Sequence, residues 1–424
     1  MLSRVTDSSS STFPEPLTES SPEPSGDLRR SGPFILSSLA GGHSLFHWFL
    51  QSFIVLLPEV QAAFHLSGVG VGAILTAREL AAGLVTLPGG VIADLLRRHW
   101  GILLAGCIGV FSLAALAMSL SPVYPLLLVG MAAVAVCHSI WHLPAAASLS
   151  HHFPQRRGMA LSFHGVGGSI GDVIGPVATG ALLAFLSWRE ILSVYAAVPF
   201  FLAFLALWSF QNIVGTSAAE VETPNLPDRL TMTKALLRNR VLWGLTVVRG
   251  LRAMALVAIL TVLPLYLGND LQLGTFNRGL HIGLLIAMGL FAKPVAGYLS
   301  DRWGRKQVLA PGLIWSCAIS LLLIPFGDGI ALTALIVLLG LFLYPDQPIV
   351  TAAALEIAGR DVATTALGVV SFGGFMMAAT SPIIAGFLYE TLGIAAALYY
   401  VAGLFALAAV IFVVLPLRAP GQAD

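Results

Sequence analysis

Charged residues are scarce in this sequence. Asp, Glu, Lys and Arg together make up 10% of its 424 residues, whereas soluble proteins contain about 25%. A water-soluble fold of this length could not cover its surface with so few charges, and a net charge of +1 provides no basic domain for nucleic acid. The composition therefore excludes a soluble enzyme and a nucleic-acid-binding protein.

Cysteines and a secretion signal are also lacking. The three cysteines, Cys107, Cys137 and Cys317, lie inside apolar runs, which excludes a disulfide framework and a thiolate metal site. Residues 1–33 are rich in Ser, Pro and acidic residues and lack an apolar core segment, so we expect a disordered cytosolic tail and not a signal peptide. The absence of a Gly-x4-Gly-Lys-Ser/Thr loop argues against a process driven by ATP.

Long apolar runs are abundant instead. Hydrophobic residues make up 57% of the chain, and its mean hydropathy is +0.87. A helix needs about 20 apolar residues to cross a bilayer, and twelve such runs follow Phe34. The sequence predicts an all-α membrane protein in which twelve transmembrane helices form two six-helix lobes, 34–210 and 241–417. Residues 211–240 are then a cytosolic linker, and 418–424 a cytosolic tail.

The distribution of Lys and Arg predicts the orientation of the chain. If the N-terminus is cytosolic, Arg189 and Arg278 are the only two of the 22 basic residues in loops on the opposite side. Because cytosolic loops carry the excess of basic residues, we expect both termini to be cytosolic. The expected location is the inner (plasma) membrane, with several passes through the bilayer.

The two predicted lobes repeat each other in sequence. A shift of 206 residues places Pro58 on Pro264, Pro176 on Pro382 and Gly180 on Gly386. An even number of spans in each half gives both copies the same orientation, so the repeat is a parallel one. Such a duplication is typical of secondary transporters with two lobes.

The loop after the eighth predicted span carries a complete motif. It reads Gly-x-x-x-Asp-Arg-x-Gly-Arg-Lys, with Gly297, Asp301, Arg302, Gly304 and Arg305 in the defining positions. This motif resembles the loop signature of the major facilitator superfamily. The resemblance implies the major facilitator fold and a role for the loop in gating.

The first half contains a degraded copy of the motif. Gly90 and Asp94 are retained, but Arg97 stands where the motif has a glycine. Asp94 should therefore matter less for gating than Asp301. The glycine lets helices approach each other, and the aspartate can accept hydrogen bonds from a helix N-terminus.

Residues 40–190 show a narrower resemblance. The segments Ser-Ile-Trp-His-Leu-Pro at 139–144 and Gly-Val-Gly-Gly at 165–168 are similar to the fosmidomycin-resistance-type exporters. Gly171, Gly175 and Pro176 form a motif that resembles one found in the fifth span of exporters, where it packs helices and permits a kink. The resemblance implies drug-resistance-type efflux by an antiporter.

Ionisable residues inside the apolar spans are the candidate functional residues, since a charge at the centre of a membrane helix costs about 2.5–3.5 kcal/mol. The resemblance implies that the first, fourth, seventh and tenth spans line a central cavity. On the first, fourth and seventh of these spans lie six predicted substrate-binding residues: His43, His47, His138, His142, Arg249 and Arg252. Because bases outnumber acids inside the spans, we expect an anionic substrate.

Three carboxylates are candidates for proton coupling. Asp346 lies between Pro345 and Pro348, and a buried carboxylate can titrate reversibly. Glu79 and Asp172 are the alternatives. Asp172 can also pair with Lys293, although that lysine is close enough to the cytosolic end to snorkel.

The sequence therefore predicts a secondary active transporter, and not an enzyme, that moves a small anionic or amphipathic organic compound by alternating access. Proton-coupled efflux is the expected mode. The expected partners are a small-molecule substrate, protons and the lipid bilayer. We expect a monomer that binds no nucleic acid and needs no cofactor and no metal.

Three other hypotheses stay open on the sequence alone. In the first, the protein imports a small organic anion with protons. In the second, it is a sensor that transports nothing. The third hypothesis comes from the spacing of His43/His47 and His138/His142, since pairs at i,i+4 can ligate a metal ion. It makes the protein a metal or metal-chelate carrier.

Overall fold

A computed structural model describes residues 28–211, 213, 226–358 and 362–417. Within its helices, the side chains of residues 87, 90–95, 97, 226–230, 346, 347, 363 and 364 are not described. Most of the predicted N-terminal tail, the predicted C-terminal tail and about half of the predicted linker lie outside the described residues. Those domain boundaries therefore stay predictions.

The first lobe consists of seven helices. They are α1 (Gly32–Val55), α2 (Leu57–Phe64), α3 (Gly68–Leu95), α4 (Trp100–Ser119), α5 (Tyr124–His152), α6 (Arg157–Leu182) and α7 (Trp188–Ser209). Six of them are long, and the short α2 lies between α1 and α3. Pro144 and Pro176 lie inside helices, which membrane helices tolerate because neighbouring helices compensate the lost hydrogen bonds.

The described residues from 226 onward form nine α-helices. They are α8 (Leu226–Leu237), α9 (Arg240–Leu265), α10 (Thr275–Trp303), α11 (Arg305–Phe326), α12 (Gly329–Leu343), α13 (Asp346–Ala358), α14 (Ala363–Ala378), α15 (Ser381–Leu392) and α16 (Ile394–Val414). Two predicted spans are thus each divided into two helices. One consists of α12 and α13, which are separated beside Pro345, and the other consists of α14 and α15, which are separated beside Pro382. Helix α8 occupies part of the predicted linker.

Ten helical stretches of the described chain are long and apolar enough to cross a membrane. Helices α1 and α6 contain 24 and 26 residues but are not among these ten. Their sequences contain several histidines and glycines, which make them less apolar than the other long helices. The all-helical membrane architecture is confirmed, and the count of twelve spans stays a prediction.

Buried apolar side chains form two clusters, one centred on each lobe. Phe46, Phe111 and Trp141 belong to the first cluster, and Leu339 and Phe405 belong to the second. Each lobe therefore has its own packed interior, and the polar residues that are discussed below lie mainly between the two.

Helices α1 and α6 approach each other more closely than side chains would allow. Gly167, Gly171 and Gly175 form a stripe on α6, at i, i+4 and i+8. A Cβ atom at Gly171 would lie 2.3 Å from the carbonyl oxygen of Ser44, and one at Gly167 would lie 2.3 Å from that of Ala40. The backbones are therefore in direct contact, as in other small-residue helix pairs of membranes.

The two lobes meet at the end of the bundle where α1 finishes and α3 begins, and we call this contact the seal. Helix α6 packs on α10 there, and a Cβ atom at Gly180 would lie 2.6 Å from the carbonyl oxygen of Thr275. Helix α3 packs on α15 in the same way, since a Cβ atom at Gly68 would lie 2.2 Å from the carbonyl oxygen of Gly386. Lobe contact at this end thus depends on residues without side chains.

Polar contacts reinforce the seal. Arg278, whose side chain is 4% exposed, donates to Glu59 across the lobes in an ion pair. Asn269 Nδ2 donates to Gln61 Oε1 at 2.8 Å, and the Gly68 amide donates to a Glu390 carboxylate oxygen at 2.8 Å. Sequence reasoning placed Arg278 in a loop, which was wrong because Arg278 lies in the first turn of α10. It also missed the partner of Arg278, which lies 219 residues away.

The glycine stripe of α6 generates the first prediction. Gly171→Ala should destabilise the protein by about 1–3 kcal/mol, because the added methyl group must displace the backbone of α1. The measurement is the midpoint of thermal unfolding of the purified protein in detergent. Gly165→Ala is the matched control, since a Cβ atom there meets no atom within 4 Å. Equal midpoints for the two variants would contradict the close contact.

The ion pair in the seal generates the second prediction. Removing one member of a buried ion pair costs up to about 3–5 kcal/mol. The partial exposure of Glu59 reduces that cost. We therefore expect Glu59→Gln to raise the ratio of open-seal to closed-seal molecules tenfold or more, which corresponds to about 1.4 kcal/mol. Spin labels at Phe185→Cys and Ile330→Cys, positions that are 86% and 90% exposed, measure the distance between the lobes at this end.

The control for this measurement is Glu190→Gln. Glu190 accepts a hydrogen bond from the Ser187 amide at 2.7 Å inside the first lobe and does not cross to the second. Cys107 and Cys137 are buried, and Cys317→Ser removes the third native thiol from the labelling reaction. If Glu59→Gln leaves the distance distribution of the parent unchanged, the ion pair does not hold the seal.

Candidate functional site

A cavity of about 550 Å³ lies between the two lobes. It is of the size that binds small organic molecules. Both lobes contribute to its wall, the first through α1, α3, α5 and α6 and the second through α9, α10 and α14. The side chains that give the wall its chemistry are His43, His47, His138, His142 and Asp172 from the first lobe and Arg249, Lys293, Ser371 and Phe375 from the second.

The two histidines of α1 are held by α6. His43 Nδ1 lies 2.8 Å from the carbonyl oxygen of His164, and His47 Nδ1 lies 2.8 Å from Asp172 Oδ1. A carbonyl oxygen can only accept, so the Nδ1 atom of His43 carries the proton in the first contact. The glycine stripe of α6 makes these contacts possible, because it brings both α1 histidines within reach.

The two histidines of α5 complete a cluster. His138 Nε2 lies 3.3 Å from His47 Nε2 and 3.0 Å from His142 Nε2. The rings of His43 and His164 stack with centroids 4.2 Å apart. One ring nitrogen from each of His43, His47, His138 and His142 lies within 4.8 Å of the other three, and we call these four residues the histidine cluster.

The structure separates the two arginines that the sequence grouped together. Arg249 lines the cavity, and its Nη1 atom is buried without a hydrogen-bond partner in the described part of the chain. Arg252 is 4% exposed and donates from Nη2 to the carbonyl oxygen of Leu343 at 2.6 Å. The guanidinium group of Arg252 thus reaches the end of α12, and Arg252 is absent from the cavity wall described above.

Two other basic side chains of the apolar spans have defined positions. Lys293 lines the cavity, with its Nζ atom 5.9 Å from the centroid of the Tyr344 ring, and does not simply extend to the membrane surface. Arg78 pairs with its neighbour Glu79, at 2.7 Å between Nη2 and Oε1. About 100° separates their Cα positions around the helix, but the long arginine side chain spans that angle.

The three predicted coupling carboxylates differ in their surroundings. Asp172 lines the cavity and accepts from His47. Glu79 is 7% exposed, and its carboxylate forms an ion pair with Arg78. The side chain of Asp346 lies outside the described residues.

The complete loop motif forms a network inside the second lobe. Arg305 pairs with Asp301 and with Glu356, the latter at 2.7 Å, and donates to Ser300 Oγ at 2.6 Å. Gly304 has φ of 104°, in the region that favours glycine.

The remaining motif residues have fewer contacts. Arg302 Nη1 lies 3.5 Å from the hydroxyl oxygen of Tyr298, at the limit for a hydrogen bond. Gly297 was expected to permit a close helix contact, but a Cβ atom there would meet no described atom within 4 Å. The side chains of Asp94 and Arg97, and the surroundings of Gly90, lie outside the described residues.

Sequence reasoning missed His164 as a partner of the histidine cluster. The residue of the first span that His164 contacts, His43, lies 121 positions earlier in the chain. Its position three residues before Gly167 was the available signal, because that glycine stripe faces α1.

Comparison with known proteins agrees with this architecture. The chain is 23% identical to the fosmidomycin resistance protein of Escherichia coli K12 over 69% of this chain and 71% of that protein. It is 22% identical to the membrane sensor protein UhpC of the same organism, over 81% of this chain and 82% of that protein.

Solved structures share the fold. A bacterial homologue of the human lysosomal transporter Spinster, crystallised in an inward-facing and occupied conformation, superposes with a TM-score of 0.79 at 13% identity, over 90% of this chain and 96% of that one. A mutant of the nucleoside transporter NupG gives a TM-score of 0.74 at 14% identity, over 90% of this chain and all (100%) of that one.

The sequence also matches the family description of the Major Facilitator Superfamily over residues 39–293 and 279–424. These two matches take in both lobes and the cavity between them. The relatives and structural neighbours belong to this transporter superfamily and are not enzymes. The resemblance to the fosmidomycin-resistance type is confirmed by a relative that is 23% identical. The chain therefore belongs to the Major Facilitator Superfamily.

Proposed function

We propose that the protein is a secondary active transporter that expels a small organic anion in exchange for protons. The observation that carries this proposal is the charge of the cavity wall. Its described cations are Arg249 and Lys293, whereas its described carboxylate, Asp172, is already bonded to His47. The cavity wall therefore carries positive charge that can bind an anionic ligand.

Arg249 is the residue best suited to bind the anion. Its Nη1 atom is buried without a partner in the described residues, and a buried donor without an acceptor costs about 1–3 kcal/mol or more. A carboxylate or phosphonate in the cavity would remove that cost by accepting in a bidentate way. Lys293 would add a second positive charge from α10.

The seal supports transport by alternating access. We propose that α1 and α6 also cross the membrane, which gives twelve spans, and that both termini are cytosolic. In that orientation the seal lies on the outer side, and the cavity is accessible from the cytosol. Movement of the two lobes about the cavity then exposes the anion to the other side.

The complete loop motif would act when the cytosolic end closes. The open space beside Gly297 leaves room for the first lobe to approach α10. Asp301 and Arg305 would then exchange their present contacts inside the lobe for contacts between lobes. This makes the complete motif, and not its degraded copy, the gating element.

Asp172 and His47 are the proposed coupling site. They are in direct contact and line the cavity, so a proton that binds there changes the charge that the anion meets. Asp346 and Glu79 are retained as alternatives, although the pairing of Glu79 with Arg78 makes Glu79 the weaker of the two.

The function is tested in inverted membrane vesicles, where efflux appears as uptake. Fosmidomycin is the first probe because a relative is named for resistance to it, and a panel of small organic carboxylates and phosphonates follows. We expect uptake that requires an imposed proton gradient. Uptake in right-side-out vesicles would favour import. If a folded protein moves none of these compounds, the proposal is wrong, and a sensor like the related UhpC becomes the better explanation.

The cavity position of Arg249 generates the third prediction. Arg249→Lys keeps the charge but loses the planar fork, so the affinity for the transported anion should fall about tenfold or more, or about 1.4 kcal/mol. Arg249→Ala should have a larger effect. The measurement is the concentration for half-maximal uptake. Arg252→Lys is the matched control and should mainly lower stability, since Arg252 bonds to Leu343. Equal losses of affinity in both lysine variants would contradict this separation.

The contact between Asp172 and His47 generates the fourth prediction. Asp172→Asn should still exchange substrate across the membrane but should lose uptake driven by a proton gradient, because a neutral amide cannot alternate between two charge states. Counterflow and gradient-driven uptake measure the two activities separately. Asp346→Asn is tested in parallel. If only Asp346→Asn loses gradient-driven uptake, the coupling proton binds at Asp346.

A further inference from the structure

The histidine cluster brings together four imidazole rings from two facing helices. His43 and His47 lie at i,i+4 on α1, and His138 and His142 lie at i,i+4 on α5. One ring nitrogen of each lies within 4.8 Å of the other three. Two ligand pairs on neighbouring helices are a way of building a metal site in a helix bundle.

The outer contacts of the α1 histidines fix where their lone pairs point. His43 donates from Nδ1 to the His164 carbonyl oxygen, so in the neutral ring the lone pair is on Nε2. That Nε2 atom is buried and has no hydrogen-bond partner in the described chain. His47 donates from Nδ1 to Asp172, which likewise leaves its lone pair on Nε2. Carbonyl and carboxylate partners of this kind orient most metal-binding histidines.

Hydrogen bonding among the rings does not satisfy the cluster. His138 Nε2 is 3.3 Å from His47 Nε2 and 3.0 Å from His142 Nε2, and it can carry one proton at most. With a proton it can donate to one of the two nitrogens, and without one it has a single lone pair, so only one of the two contacts can be a full hydrogen bond. A cation between the nitrogens would instead accept a lone pair from every ring.

The spacing suits a transition metal. Zinc–nitrogen bonds of about 2.0–2.1 Å in a tetrahedral site place the nitrogens about 3.3 Å apart, close to the two Nε2–Nε2 distances in the cluster. The widest separation, 4.8 Å, must shorten by side-chain rotation. Imidazole ligands select zinc, copper or nickel, whereas magnesium and calcium prefer oxygen.

We propose that His43, His47, His138 and His142 bind one divalent transition-metal ion in the wall of the cavity, with Asp172 as the residue that positions His47. Arg249 and Lys293 line the same cavity and repel a cation. The carboxylate of Asp172 offsets part of that repulsion, and an anion in the cavity offsets more. Metal binding and anion binding involve different residues, since the metal is bound by the first lobe and the proposed anion contacts, Arg249 and Lys293, lie in the second.

The test uses the full-length protein in nanodiscs, purified with a tag that contains no histidine and freed of metal with a chelator. Co²⁺ is titrated in chloride buffer while visible absorption is recorded, because tetrahedral Co²⁺ absorbs strongly there. Zn²⁺ then displaces the Co²⁺. We expect about one Zn²⁺ per chain by elemental analysis and loss of the cobalt spectrum upon displacement.

Variants locate the ion. His138→Gln should lower the affinity at least 100-fold, and Asp172→Asn should lower it about 10–100-fold, as expected for a partner that orients a ligand. His281→Gln is the matched intramembrane control, since His281 bonds to Thr333 in the second lobe. The double variant His151→Gln/His152→Gln controls for an adjacent histidine pair at the end of α5. Both controls should bind the metal like the parent.

Three outcomes would overturn the proposal. The first is a parent protein that binds no Co²⁺ or Zn²⁺, in which case the imidazoles serve only to bind or relay protons. The second is binding that survives in His138→Gln and in His43→Gln. The third is loss of binding in either control variant. Thermal unfolding of each variant without metal shows whether it is folded, and His142→Gln replaces any variant that is not.

Discussion

Direct backbone contact between α1 and α6 decides how this chain can place polar groups inside a membrane. Gly167, Gly171 and Gly175 remove the side chains that would separate the two helices. His43 and His47 can then bond to α6 at 2.8 Å. Without partners, such groups would be costly within the bilayer. The contact that packs the first lobe thus also positions the polar wall of its cavity.

The second lobe contains the equivalent helix pair, α9 and α14, in which the glycines of α14 pack against side chains of α9. The repeat that places Gly168 on Gly374 also places His43 on Arg249. A Cβ atom at Gly168 would lie 2.6 Å from the His43 ring, and one at Gly374 would lie 3.2 Å from Arg249 Cγ. Equivalent glycines therefore support equivalent cavity residues. The duplication preserved the packing while the two walls came to differ, one carrying imidazoles and the other a fixed positive charge.

The place of Arg249 on the cavity wall was predicted from the resemblance to the superfamily, whereas local patterns in the sequence predicted the all-helical membrane architecture. They could not separate Arg249 from Arg252, because residues at i,i+3 share a helix face and only the end of α12 shows where Arg252 is bonded. Glu59 and Arg278 are 219 residues apart, and their pairing depends on how the lobes dock. Contacts of that kind have no signal in local periodicity.

The distribution of polar contacts fits a protein with two arrangements of similar free energy. At the seal, an ion pair and glycine contacts hold the lobes together. At the motif, Asp301, Arg305 and Glu356 satisfy one another within the second lobe. Closing that end would exchange these bonds for others, and opening the seal would release the pair of Glu59 and Arg278 to water. Each movement exchanges polar contacts for others, so the free energies of the two arrangements can be similar. A ligand that binds one arrangement more tightly can then shift the population toward it.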